Sequence, residues 1–332
     1  MESIANTREQ REGLLGWSKH IGCALPLRLL PNPMVRGLVS SGMPIELAVE
    51  YADEKKCGIG SQEFPRNVEA YLKSLVKVAG ITDCSNMGLH QPLGFGSTCR
   101  ESVFPWVQAT SELGFHHVTL HCHVPPGDNK ILSVENYLKE VASCVNSIQS
   151  ATQVLFENLH KKTTGPFDSY PQTFEEMMEM AEIAVGAGIS PQQCGFVFDV
   201  YHMFQETNFD TDKVCQSISS LGENGVNRTL RNWIKVIHLC GGTGGLGHQF
   251  PEFGEKSSQN NSRLSQGLDV PSVVKAVGDV WKESRDKPYL LVEAGTWPGE
   301  NPVYGMGDPR YRTDKRVFEK VLESTEELRR SI

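Results

Sequence analysis

Gly195-Phe196-Val197-Phe198-Asp199-Val200-Tyr201-His202 is a short apolar run that ends on a carboxylate, with a histidine three positions further on. A continuous apolar run of this length reads as a strand buried on both faces, as in a parallel sheet wrapped by helices. A polar residue ending such a strand is expensive to bury without a partner. The same pattern recurs at Val154-Leu155-Phe156-Glu157, Val236-Ile237-His238 and Leu290-Leu291-Val292-Glu293. Side chains alternate along a strand, so Asp199 shares a face with Val197 and Gly195 while Phe196 and Phe198 take the other. Glu157, His238 and Glu293 accept the same phase. One polar ending is an accident of packing; endings of Glu, Asp, His and Glu together point to one converging site.

Outward from these runs, strand-like segments are expected near 20–25, 57–63, 85–90, 116–122, 153–158, 195–200, 234–240 and 288–294. Apolar residues at helical spacing fall between them, over Asn67–Ala79, Val134–Ile148, Thr173–Ala187, Val270–Trp281 and Arg312–Arg330. Thr173-Phe174-Glu175-Glu176 carries a capping-box signature, with Thr at the N-cap and Glu three later. Eight alternating units with no break in composition across residues 1–332 predict a single-domain α/β protein, a closed (β/α)8 TIM barrel. An open doubly wound sheet is the runner-up, but its strand ends supply fewer convergent side chains.

A chain of 332 residues can bury a large core without staples. Its net charge of −8 argues against a nucleic-acid partner. Nine scattered cysteines, an odd number with no C-x-x-C pair, fit free thiols in a reducing compartment. Met1–Glu12 is polar, and no apolar run approaches a membrane span, so a soluble cytoplasmic protein is expected. Gly241–Gly247 reads as a mobile loop at the barrel mouth, and the polar stretch Gly254–Gly267 as an excursion of the same connection.

Barrel active sites form at the C-terminal ends of the strands. His90 and His121 end strands there as well, and His202 lies at the same rim. The candidate set is His90, His121, Glu157, Asp199, His202, His238 and Glu293. Carboxylate oxygens with imidazole nitrogens suit Mn, Mg, Zn, Co or Fe(II). His90 and His121 read either as ligands or as substrate contacts. His116, His117, His123 and His160 read as hydrogen-bonded core histidines. A buried polar network without metal is the alternative, provided every group is satisfied.

Glu157-Asn158-Leu159, Asp199-Val200-Tyr201-His202, Ile237-His238-Leu239 and Val292-Glu293 resemble the motifs of the xylose isomerase-like barrel superfamily. That superfamily includes sugar isomerases and epimerases, inosose dehydratase, hydroxypyruvate isomerase and endonuclease IV. The resemblance implies one divalent ion, often Mn, on Glu157, Asp199, His238 and Glu293. It implies Glu157 and Glu293 as the acid/base pair and His202 as a substrate contact. The implied reaction is isomerisation or epimerisation of a sugar or polyol-like substrate, through proton abstraction beside a carbonyl and a metal-stabilised enediolate. A dehydratase or lyase acting on a keto-polyol needs the same proton abstraction. Resemblance to endonuclease IV implies instead a zinc phosphodiesterase, with His90 and His121 joining Glu157 at a second metal. Its third zinc site would need an Asp-x-His, and Leu246 stands where the Asp before His248 would fall. His248 could still touch substrate. Arg263 could bind a hydroxyl, carboxylate or phosphate. Relatives of this kind often form homo-oligomers.

Overall fold

The computed structural model describes residues 17–90, 103–124, 129–147, 152–159, 168–190, 192–222, 226–241, 251, 267–293 and 314–332. Its strands are β1 (Ile21–Pro26), β2 (Ile45–Ala48), β3 (Met87–His90), β4 (His117–Leu120), β5 (Cys122–Val124), β6 (Gln153–Glu157), β7 (Asp168–Tyr170), β8 (Cys194–Asp199), β9 (Ile234–Leu239) and β10 (Tyr289–Val292). All but β5 and β7 form one closed barrel, in the order β1-β10-β9-β8-β6-β4-β3-β2. The expected (β/α)8 barrel is therefore the fold. Backbone proximity divides the chain into two compact units, residues 24–197 and residues 1–23 with 198–332. Both cuts fall inside strands of the barrel, β1 and β8.

In the first unit β2, β3, β4, β6 and the start of β8 pair in parallel. Their helices form where the sequence pattern demands. Phe64–Ala79 buries Phe64, Val68, Leu72, Val76 and Ala79, one stripe at helical spacing, and stops at Gly80, whose φ of 66° is left-handed. Helix Phe174–Gly186 starts at Thr173, whose side chain accepts from Glu176 N–H. Glu176 reaches back one residue further than expected, accepting the Gln172 N–H at 2.7 Å.

One strand lies elsewhere than the sequence pattern predicts. Residues 57–63 are not a strand: helix Tyr51–Cys57 ends there on Gly58 at φ 73°, and Gly60 turns the chain again at φ 85°. Left-handed glycines stop helices and make turns. The second strand is Ile45–Ala48, buried although Glu46 interrupts its apolar run. A second difference follows β4. The expected strand 116–122 divides into β4 and β5, and β5 pairs antiparallel with β7 beside the barrel. Lys130 braces this ribbon, lying 4.7 Å from the Tyr170 ring and bonding Glu176 at 2.6 Å.

In the second unit Ile21–Cys23 pairs with β10 and β10 with β9, both in parallel. Helix Val270–Trp281 matches its expected span; Asp269 caps it and its inner face is Val270, Val273, Val274, Val277 and Trp281. The charged C-terminal helix runs from Asp314 to Ser331. Among the described residues, no helix is long and apolar enough to cross a membrane, and eight cysteines are all free. Burial pushes the Cys23 thiol up to about 12, as suits a packing residue rather than a reactive thiol.

Candidate metal centre

In the second unit the end of β8 passes directly into helix Val200–Glu206. Asp199 is the hinge: it closes the strand and caps the helix, its Oδ1 accepting the His202 N–H at 2.7 Å. The carboxylate thereby answers one of the donors left open at the helix start. The Cys240 thiol lies 3.9 Å from Asp199 Oδ2 as a weak donor. On β9, His238 is fully buried and its Nδ1 is 3.1 Å from Glu293 Oε2. Glu293 follows β10 and is tied down by its own N–H, which donates to Leu239 O. Yet Glu293 Oε2 is buried and accepts no hydrogen bond among the described residues. A bare carboxylate oxygen beside a ring nitrogen is what a cation between them would satisfy. Asp199, His238 and Glu293 each bring a ligand atom within 4.8 Å of the others. His202 Nδ1 lies 3.8 Å from Asp199 Oδ1, at the same rim.

In the first unit Glu157 ends β6, His90 ends β3 and His121 follows β4. All three are buried, and both imidazoles aim at one oxygen: His121 Nε2 is 2.6 Å and His90 Nε2 3.2 Å from Glu157 Oε2. The two rings meet edge to face at 4.9 Å between centroids. His121 is held from outside by the Tyr137 hydroxyl, which donates to its carbonyl. These three residues also bring ligand atoms within 4.8 Å of one another. Mixed carboxylate and imidazole donors of this kind fit a hard or borderline divalent ion.

His117 is a hydrogen-bonded core histidine, as expected, but its partner was not foreseen. Its Nε2 is 3.2 Å from Glu46, a wholly buried carboxylate on β2. The signal in the sequence is a glutamate inside the short apolar run Ile45-Glu46-Leu47-Ala48. Two expected substrate contacts, His248 and Arg263, lie outside the described residues, as do His160 and almost all of the two loop stretches 241–247 and 254–267.

No family model and no curated protein matches the sequence. Solved structures do. A D-allulose 3-epimerase from Methylomonas sp., in complex with D-allulose, is 12% identical over 93% of this chain and 94% of that one, with a TM-score of 0.52. The IolI protein with a bound zinc atom is 13% identical over 92% and 93%, also at 0.52. A family 2 AP endonuclease from Brucella melitensis is 10% identical over 90% and 96%, at 0.50. Likeness at such identities is one of fold, and the shared fold is the closed (β/α)8 barrel.

Proposed function

We propose that this protein is a divalent-metal-dependent isomerase or epimerase of a sugar or polyol-like substrate. The proposed ligands are Glu157, Asp199, His238 and Glu293, carried at the ends of β6, β8, β9 and β10, which are consecutive in the barrel order. The observation that carries the reading is Glu293 Oε2, buried beside His238 Nδ1 without a hydrogen bond among the described residues. The likeness in fold to an epimerase solved with D-allulose supports the substrate class.

A bound cation at this set would polarise the substrate carbonyl and acidify the neighbouring C–H. Glu157 and Glu293 serve as the acid/base pair. One carboxylate removes the proton from the carbon beside the carbonyl; the C–H electron pair forms the C–C double bond and the carbonyl π pair moves onto oxygen. Return of a proton to the opposite face of the same carbon gives epimerisation; return to the former carbonyl carbon, with the neighbouring hydroxyl's proton passing to the former carbonyl oxygen, gives isomerisation. His90 and His121 hold the Glu157 carboxylate through Oε2. His202, His248 and Arg263 are the proposed substrate contacts.

One observation favours a second reading. His90, His121 and Glu157 form a compact donor set of their own, which two-zinc phosphodiester hydrolysis would use. Elemental analysis of the protein purified without chelator separates the two. About one Mn, Mg, Co, Fe or Zn per chain supports the isomerase or epimerase; two or more zinc ions per chain transfer the weight to the phosphodiesterase. With a turned-over ketose in hand, Glu157→Gln and Glu293→Gln should each cut kcat by about 100-fold or more with the fold intact. Wild-type turnover in both variants removes them from the acid/base roles.

A further inference from the structure

One carboxylate sits deeper in the barrel than the strand ends, outside both the proposed ligand set and the acid/base pair. Glu46 has no solvent exposure. Its Oε1 accepts a hydrogen bond from Thr119 Oγ1 and faces His117 Nε2 at 3.2 Å. Both partners come from β4, although β3 lies between β2 and β4 in the sheet. The register explains how they reach. Glu46 stands opposite Gly88, and Gly88 opposite His117. A Cβ at position 88 would lie 2.1 Å from His117 Nε2, so only glycine lets the imidazole cross β3 to meet the carboxylate.

Two residues further along, on the same phase of each strand, Ala48 stands opposite His90 and His90 opposite Thr119. Glu46 and His90 offer ligand-type atoms within 4.8 Å of one another. His90 Nε2 in turn lies 3.2 Å from Glu157 Oε2. A buried charge is a poor way to hold strands together, since apolar packing of similar volume does as well or better. What Glu46 supplies that an apolar residue would not is a fixed carboxylate acceptor next to an imidazole. A carboxylate behind a histidine commonly fixes the ring's tautomer and orientation in metal sites.

We propose that Glu46 is a positioning residue: anchored by Thr119 and His117 across Gly88, it sets the tautomer and ring orientation of His90, and through that ring the Glu157 carboxylate. The last link rests on the reading of Glu157 as ligand and acid/base group. The test is long-range 1H–15N NMR of the histidine rings in the metal-free full chain, with His90 assigned by loss of its signals in His90→Gln. Glu46→Gln keeps the size and one acceptor oxygen and replaces the other with an amide NH2. It should shift the His90 nitrogen pattern and weaken zinc binding, measured by competition with a chelator, by about tenfold. Thr119→Val removes one anchoring donor at similar shape and should shift His90 in the same direction; it carries the test if Glu46→Gln does not fold. An unchanged His90 pattern in a folded variant overturns the proposal. A shifted His90 with unchanged zinc affinity overturns the link to Glu157. Because the NMR readout needs no metal or substrate, a wild-type chain that binds no metal would sink the proposed function while the Glu46–His90 coupling is still judged on its own.

Discussion

Asp199 and Glu54 show how differently two buried carboxylates are treated. Asp199 accepts a helix N-terminal N–H, so its carboxylate has a hydrogen-bond donor inside the fold. Glu54, in helix Tyr51–Cys57, is buried with an Oε1 that accepts no hydrogen bond among the described residues. Burial first, and then the neighbouring Asp53 charge, raises Glu54 from its usual value of 4.5 to about 7. Asp53 is itself held as an acceptor by the Tyr71 hydroxyl at 2.6 Å and the Glu50 N–H at 3.0 Å. The folded protein therefore keeps the Glu54 proton at pH values where the unfolded chain has lost it. The stabilisation from that proton is complete below about pH 4.5 and is lost as pH rises through about 7. Glu54→Gln removes this titration. Relative to wild type, the variant should be more stable at pH 8 than at pH 5, read from urea midpoints. An equal difference at both pH values would show that Glu54 titrates normally.

At the scale of elements, the strands carrying Glu157, Asp199 and His238 are legible because in each an apolar run leads into one ligand-type residue, although β9 also carries Lys235 and runs on to Leu239. Helix Val270–Trp281 was legible because its apolar stripe starts just after Asp269 and Pro271 sits in its first turn. β2 was not, because its one glutamate is paid for by partners on another strand, which no local pattern can display. The β5–β7 ribbon was hidden for a related reason: its two strands are three residues each and meet only across a long connection. Gly88 is the counterpart of Glu46 in this respect, an unremarked glycine whose role depends on a histidine from the next strand. Gly88→Ala should overpack the β2–β3–β4 layer and lower the unfolding free energy by about 1–3 kcal/mol. The loss should be smaller when measured in a His117→Ala background, since the clash is with that ring. Equal losses in both backgrounds would place the strain in the backbone instead.

At the scale of the whole molecule, the proposed ligands come from four widely separated segments, at residues 157, 199, 238 and 293. An unfolded chain cannot present them together, so a cation held by this set binds the folded protein far better than the unfolded one. Stability must then depend on free metal concentration, by about 2.7 kcal/mol at one hundred times Kd. The expected result is a Tm that rises with the logarithm of added Mn or Zn and falls back on chelation. Asp199→Asn and His238→Ala should flatten that dependence, because each removes a donor, while retaining a cooperative transition. The first of these also keeps an acceptor for the His202 N–H, so a preserved helix cap can be told from a lost ligand. A wild-type Tm indifferent to every divalent ion, with the same indifference in both variants, would leave the His238–Glu293 pair as a buried polar contact and remove the cation from the account of this barrel.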